Sequence, residues 1–494
     1  MRLVEKQIKY RIQKEQIIMI KKMQIIVVCL MLTLLAHAQD YTYDRQIGEQ
    51  SAKQVEMMIG LYPDSRLNAY VDEVGERLVV ALGKSPFQFE FNVVDMAEPN
   101  AFALPGGFIY VSRGLLSLVN EEDELAGVIG HEMIHVTKRH SIKQMKKSIL
   151  PSILMIPGAL VGGLVNEDLG NIINAPISLG SNLFLMNYSR KQEKEADLYG
   201  VELASEAGYD PSKLAVILHH LSKEVENLTG EAEKKSYFSS HPFTPKRVED
   251  LGEHVHSITW RSATPIAENK SILFSKLDGM YIGQNPSQGI FKDNLFLHPE
   301  LNLSLQFPKD WKTVNVPAAV GAFEEKGNAQ IIVTLEDQFS TADSAANVFA
   351  QKFKEWSGKD PNINDSVEIN GYKSRRISVT EKQNEKVIAL NSWWIQKEQY
   401  LLNIVAVSLV EFEEPVMEAV TSLKDLTEEE KQMITGLKLK SAVAQKGETI
   451  SQFCERTGNA LDAKETALVN GLEENSKLDE GQVLKIAIDT PYFN

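Results

Sequence analysis

The stretch Asn120-Glu121-Glu122-Asp123-Glu124-Leu125-Ala126-Gly127-Val128-Ile129-Gly130-His131-Glu132-Met133-Ile134-His135-Val136-Thr137-Lys138-Arg139-His140 decides how this chain is read. Residues four apart on a helix share a face, so His131 and His135 can grip one metal ion, with Glu132 beside them to handle a water. The surroundings specify the helix. Asn120 is a good N-cap residue, and Asp123 three positions on mimics a capping box. Glu121, Glu122, Asp123 and Glu124 crowd the first turn, where the helix dipole favours negative charge, and Lys138 and Arg139 lie at the opposite end. Leu125, Val128, Ile129, Met133 and Val136 form an apolar stripe at helical spacing. Gly127 and Gly130 cost helix stability, and their use is the close approach of another element. A helix this apolar is expected to be buried, and buried His and Glu need partners.

A catalytic zinc site wants three protein ligands and one open position. A His six residues after His135, with a Gly between, is one source of the third ligand. Ser141 and Lys138 occupy those positions, so that source fails. His140, nine residues after His131, falls on the far side of a continued helix and reads as a surface residue or an outer partner. A better candidate lies in Ser189-Arg190-Lys191-Gln192-Glu193-Lys194-Glu195-Ala196-Asp197. On that helix Glu193, Ala196, Asp197, Gly200 and Ala204 share a face that is small and apolar apart from two carboxylates. Glu195, Glu202 and Glu206 read as solvent-facing acids. Glu193 can be the third ligand, and Asp197 can accept the free ring N–H of a ligating His and fix its tautomer. An acidic pair on a surface helix is the bland alternative.

Taken together, His131-Glu132-Met133-Ile134-His135-Val136-Thr137-Lys138-Arg139-His140 and Glu193-x-x-Ala196-Asp197 resemble the HtpX-like and CAAX-prenyl-protease-type zinc metallopeptidases. Soluble periplasmic members of that family lack the membrane helices. Asn100-Ala101-Phe102-Ala103-Leu104-Pro105-Gly106-Gly107-Phe108-Ile109-Tyr110-Val111 is similar to the family's strand segment before the active-site helix. His241-Pro242 with Arg247 is similar to its His-Pro segment with a downstream Arg. The resemblance implies a mainly helical, zincin-type peptidase domain holding one Zn2+ per chain through His131, His135 and Glu193, with Glu132 as general base. His241 or Arg247 can stabilise the oxyanion, or His241 can cap the open metal position at rest. Residues 101–112 can form an edge strand that pairs with extended substrate, or a purely structural strand.

The compartment is read from the N-terminus. Lys21-Lys22-Met23, the apolar run Ile25–Leu35 and Ala36-His37-Ala38 give a charged region, a short apolar core and a small-x-small cleavage site. A signal peptide over residues 1–38 is expected, which directs the chain to the periplasm or cell envelope; Met19 or Met23 are alternative starts. Only Cys454 then remains, so no internal disulfide can form. Removing residues 1–38 takes away seven basic and two acidic residues and moves the net charge from −15 to −20. That balance argues against nucleic-acid binding. The apolar run Ile149–Val165, broken by Pro151, Pro157, Gly158, Gly162 and Gly163, suits a cover over the cleft or a peripheral contact with lipid or unfolded protein.

With 494 residues the chain has room for several domains, and the fold class expected is α+β multidomain. The peptidase is assigned to residues 39–265. Within it Asp210 is expected to cap a helix with Pro211 at its first position and Leu214, Ile217, Leu218, Leu221 and Val225 inward. His219 and His220 are adjacent and face different ways, which suits surface roles. Residues 276–440 alternate β-rich and helical runs and form a middle α+β domain of unassigned role, with Trp393 and Trp394 in its core. There, the region beginning Leu305-Gln306-Phe307-Pro308-Lys309-Asp310-Trp311 resembles the PsbP/Mog-type fold. Residues 441–488 resemble a LysM domain, on Val443, Gly447-Glu448-Thr449-Ile450, Phe453, Asn470-Gly471-Leu472, Leu478, Gly481-Gln482-Val483-Leu484 and Ile486. That resemblance implies a small, separate βααβ module that binds peptidoglycan or another N-acetylglucosamine polymer. Two functional readings result: a zinc endopeptidase acting on misfolded or misassembled envelope proteins, or an envelope assembly chaperone with secondary or lost proteolysis. Peptidoglycan hydrolysis is a third reading, which the family resemblance disfavours.

Overall fold

A computed structural model describes residues 41–148, 188–225, 237–242, 244–383 and 386–493. The expected signal peptide over residues 1–38 and the apolar run 149–165 lie outside these residues. Among the described residues no helix is long and apolar enough to cross a membrane.

The N-terminal region opens with helical residues 41–58. Next come α1 (Ser65–Leu82), β1 (Glu90–Val94), β2 (Ala101–Leu104), β3 (Phe108–Ser112) and α2 (Arg113–Leu118). The short sheet has the order β1-β3-β2, with β3 parallel to β1 and antiparallel to β2. The expected strand segment is therefore a hairpin turning at Gly106 and Gly107, both at positive φ, with β2 on the sheet edge.

The helix that carries the two histidines is α3 (Glu122–Thr137). Its cap differs from the expected one. Glu121, not Asn120, is the N-cap, in a reciprocal box with Glu124. Asn120 instead gives its backbone N–H to Glu124 Oε2 at 2.6 Å. The helix is buried around nearly its whole circumference, not along one stripe. Glu122, only 1% exposed, is satisfied by the backbone N–H groups of Ile266 and Ala267 at 2.8 and 2.6 Å.

After it the chain forms α4 (His140–Ser148), then α5 (Arg190–Glu206), α6 (Lys213–Val225), α7 (Tyr237–Ser240) and α8 (Pro245–Val255). α5 starts at a Ser189/Gln192 capping box. The helix begun by Asp210 starts two residues later than expected, because Asp210 Oδ1 accepts from Ser212 in a local turn before the helix opens at Lys213. Leu214, Ile217, Leu218 and Leu221 are buried there as expected. α3 and α5 cross where Gly130 meets Gly200. A Cβ on Gly200 would sit 2.9 Å from the His131 backbone N and Cα. Glycine at both positions is what lets the two helices touch backbone to backbone.

The middle region holds two sheets. β5 (Ile290–Lys292), β6 (Leu295–His298) and β7 (Leu303–Gln306) form a small antiparallel one. The larger is antiparallel, seven-stranded, in the order β11-β12-β13-β14-β10-β9-β8. Its strands are β8 (Lys312–Val316), β9 (Ala319–Phe323), β10 (Ala329–Leu335), β11 (Ile363–Ile369), β12 (Tyr372–Gln383), β13 (Lys386–Lys397) and β14 (Tyr400–Leu409). The period-two alternation of a strand sends Trp393 into the core on one face and Trp394 into the core under α10 (Ala342–Ser357) on the other.

The tail runs β15 (Thr435–Val443), α11 (Ile450–Thr457), α12 (Ala463–Val469) and β16 (Val483–Pro491), with the two strands antiparallel. Strand–helix–helix–strand is the expected element order, but the expected boundary at residue 441 falls inside β15. The tail has a buried cluster of its own, with Ile450, Phe453, Leu478, Leu484 and Ile486, and it also packs against the rest of the chain. β15 also pairs with β4 (Tyr281–Ile282), and α9 (Lys270–Leu277) packs into the peptidase core. Leu439, Leu461, Val469 and Ala487 share one buried cluster with Val128, Ile129 and Met133 of α3. The sequence divides the chain by changes in pattern, whereas this burial runs across them.

Candidate metal centre

Four side chains from three places converge. α3 supplies His131 and His135, α5 supplies Glu193, and the segment between α7 and α8 supplies His241. One donor atom from each lies within 4.8 Å of all the others, and all four residues are buried. His135 Nε2 stands 3.0 Å from His131 Nε2, and His131 Nε2 stands 3.3 Å from His241 Nδ1. Glu193 Oε1 is 3.2 Å from His241 Nδ1 and 3.4 Å from His135 Nε2. Three imidazole nitrogens turned toward one another and a carboxylate oxygen leave lone pairs aimed at a common point. That is the donor set of a divalent metal, so the residues fit one. Glu132 is fully buried, and neither of its carboxylate oxygens has a hydrogen-bond partner among the described residues. A buried carboxylate with no hydrogen bond, and only the His241 ring 3.4 Å away, is costly unless a ligand or water meets it.

Each of the two histidines on α3 is held from behind in its own way. His131 Nδ1 lies 3.0 Å from Asp197 Oδ1, one helical turn beyond Glu193. Asp197 is in turn gripped at both oxygens by Arg247, at 2.6 and 2.8 Å. The same guanidinium reaches Glu193 Oε2 at 2.8 Å and the carbonyls of His241 and Pro242. Arg247 is thus committed to the two acids and to the segment carrying His241. Behind His135 the partner is His140, whose Nδ1 is 3.1 Å from His135 Nδ1 and whose Nε2 is 3.3 Å from Glu195 Oε2. One tautomer set satisfies all three: His135 Nδ1–H donates to His140, and His140 Nε2–H donates to Glu195.

The expectation of His140 on the far side of the helix is corrected. α3 ends at Thr137, Arg139 takes a left-handed φ of 54°, and the chain folds back to start α4 at His140. Arg139 is pinned in that turn by Asp44 at 2.7 and 2.8 Å. Glu195, expected to be an ordinary solvent-facing acid, is half-buried and holds His140. His220 is also less exposed than a surface role implies, lying 4.0 Å from Glu124. The sequence reading missed two aromatic walls. Tyr188 stacks on His135 with ring centres 3.9 Å apart, and Tyr237 stacks on His241 at 4.3 Å. Neither carries a spacing signal; Tyr188 merely precedes the cap of α5.

The electrostatics follow from burial and charge. Burial pushes the Glu132 carboxyl up, which makes it a better proton acceptor near neutral pH. Burial also pushes Glu193 up, but His241, His135 and Arg247 outweigh it and hold Glu193 well below the carboxylate range. Asp197 is lowered against its burial by Arg247 and His131. Burial drives His135 down and keeps it neutral, as a metal ligand must be. For His241, burial lowers the imidazole, while Glu193 and Glu132 raise it by more.

Residues 65–255 match the family model described as Peptidase family M48. The Mitochondrial metalloendopeptidase OMA1 of Schizosaccharomyces pombe is 30% identical over 217 residues, which cover 43% of this chain and 60% of that protein. The Beta-barrel assembly-enhancing protease of Yersinia pestis is 26% identical over 247 residues, covering 48% of each. The chain thus spans about half the length of the curated relatives it matches. Among solved structures, cyanobacterial PsbP from Synechocystis aligns with 28% of this chain and 95% of that one, at 11% identity. The TM-score of that alignment is 0.22.

Proposed function

We propose that this chain is a zinc-dependent endopeptidase of the cell envelope that hydrolyses peptide bonds in misfolded or misassembled envelope proteins. The observation that carries the reading is the buried His131/His135/Glu193 donor set with the unpartnered Glu132 carboxylate beside it. The family M48 match over residues 65–255 and the protease names of the relatives support it. The names of the beta-barrel assembly-enhancing relatives support envelope proteins as substrates and an envelope location. An export signal over residues 1–38 belongs to the same proposal.

A bound zinc ion supplies Lewis acidity to a water and to the scissile carbonyl. His131, His135 and Glu193 would hold it, with Asp197 and His140 fixing the ring orientations of the two histidines. Glu132 removes a proton from the attacking water and delivers it to the leaving amine. His241 stands at the fourth donor position, which describes a resting arrangement. Substrate entry requires its ring to turn away, and its Nε2, 3.4 Å from Glu132 Oε1, then becomes available to a developing oxyanion. Arg247 positions Asp197, Glu193 and the His241 segment, and oxyanion binding is left to His241. β2, the sheet edge beside α3, is the segment suited to pairing with an extended substrate. For the tail, a shallow glycan site on residues 441–488 that keeps the enzyme near peptidoglycan fits the strand–helix–helix–strand order.

The test is Glu132→Gln in the full chain, with casein as the unfolded substrate. Fold and metal content should be kept while cleavage falls by a factor on the order of 10² to 10⁴, the usual share of a general base. Wild-type turnover in that variant overturns the mechanism. If neither form cleaves casein yet both suppress its aggregation, the assembly-chaperone reading replaces the protease.

A further inference from the structure

The junction between α2 and α3 sits directly ahead of the metal-binding helix, and it is closed by a residue from the far end of the chain. α2 ends at Leu118, so the carbonyls of Ser117 and Val119 have no partner within the helix. Lys485, on β16 and fully buried, donates its Nζ to both, at 2.7 and 2.8 Å. A lysine buried this completely needs a negative partner. Glu124, only 2% exposed in the first turn of α3, is not in ion-pair contact with the ammonium, and its charge acts on Lys485 from a distance. The same carboxylate collects the backbone N–H groups of Asn120 and Glu121, as the third-position member of the capping box that opens α3. The surroundings of Lys485 are equally fixed. Asn470 accepts from the Lys485 backbone N–H and donates to its carbonyl, at 2.7 and 2.9 Å. Asn120 Nδ2 donates to the Val469 carbonyl at 3.2 Å. Gly471, at φ +66°, lets the tail close onto His220, where a Cβ would come within 2.8 Å of the ring.

We propose that Lys485 is a positioning residue for the metal centre: through the Ser117 and Val119 carbonyls and Glu124, the tail fixes the start of α3 and hence the placement of His131 and His135 against Glu193. The proposal rests on the reading of these residues as a metal site but not on proteolysis. His131 lies two helical turns beyond Glu124, and α3 and α5 touch at Gly130 and Gly200 with no slack. A rotation or slide at the start of α3 therefore reaches the donor set undamped. The tail thereby acts as part of the peptidase.

The experiment compares full-length wild type, Lys485→Met, Glu124→Gln and the double variant by zinc affinity in chelator competition and by hydrogen exchange of residues 120–135. Met fills the volume of the lysine stem but leaves two carbonyls and Glu124 uncompensated. Lys485→Met should bind zinc about 10-fold more weakly, the low end of what losing support behind a metal ligand does. Exchange over residues 120–124 should quicken. The double variant should bind zinc more tightly than the product of the two single losses predicts, because it strands no charge. Unchanged zinc affinity in Lys485→Met overturns the proposal, as do single losses that simply multiply. Should Lys485→Met not fold, the double variant must; its failure to fold also overturns the proposal. Zinc affinity is read without any substrate, so a failed Glu132→Gln test leaves this one standing.

Discussion

At the scale of single residues, the site is a set of carboxylates and imidazoles with sharply different duties. Glu193→Ala and His135→Ala should each lose most bound zinc, because ligands act jointly on one ion. Elemental analysis of the purified protein checks this, and full retention in Glu193→Ala would remove that residue from the ligand set. Asp197→Ala should keep the fold yet weaken zinc roughly 10- to 100-fold in chelator competition, as loss of the partner behind a ligating His does. Arg247 then has only Glu193 to pair with. The candidates for this centre were legible in the sequence because helical spacing alone puts His131 with His135 and Glu193 with Asp197. His140 was not. Its position depends on the left-handed turn at Arg139, and Arg139 is held by Asp44, ninety-five residues earlier. No local pattern encodes that contact.

At the scale of elements, the decisive pair is α3 against α5. The first helix was legible from its caps and apolar spacing and the second from its shared face, though the N-cap of α3 moved from Asn120 to Glu121 because Glu124 reaches back to the backbone there. The glycines announced a close approach but not with whom. The partner of Gly130 is Gly200, whose absent side chain leaves room for the His131 backbone. Gly200→Ala should therefore force the helices apart, costing about 1–3 kcal/mol of stability by overpacking. It should also weaken zinc, since Glu193 moves away from the two histidines. Ala204, one turn on, offers a control. Ala204→Ser changes the same face without meeting the His131 backbone, and zinc affinity in it should stay closer to wild type. A Gly200→Ala variant with wild-type melting and zinc binding would show that the crossing has slack.

At the scale of the whole molecule, the chain is built from regions whose patterns are local and whose contacts are not. β-rich runs alternating with helical ones made the α+β character of the middle region legible, and its two tryptophans were read into the core. The docking of β15, β16 and α12 on the peptidase was hidden, because Lys485 reads in sequence as an ordinary strand lysine. Buried histidines report on such contacts. Burial holds His220, near the tail, and His298, in the middle region, at about 4. Unfolded, both titrate near 6.5, so above that pH the folded state loses nothing through them. As pH falls from 6.5 to 5 the unfolded chain takes up protons the folded one refuses, and stability drops by at most roughly 2 kcal/mol per site. Urea midpoints at pH 7.5 and 5 should therefore differ less in His298→Gln and in His220→Gln than in wild type. An equal pH difference in all three proteins would assign the acid sensitivity elsewhere.

The reach of Lys485 also has a consequence in time. Ser117 and Val119 wait for a partner 368 and 366 positions further along. A chain synthesised from its N-terminus completes α3 and α5 long before that partner exists, and contacts so distant close late in folding. On the proposal made for Lys485, a growing chain carries His131, His135 and Glu193 before the contact that positions them, and that contact forms only once β16 has been made. Ribosome-stalled chains ending near residue 440 should hold zinc more weakly than released full-length protein, and an equal hold would separate maturation from the arrival of that strand.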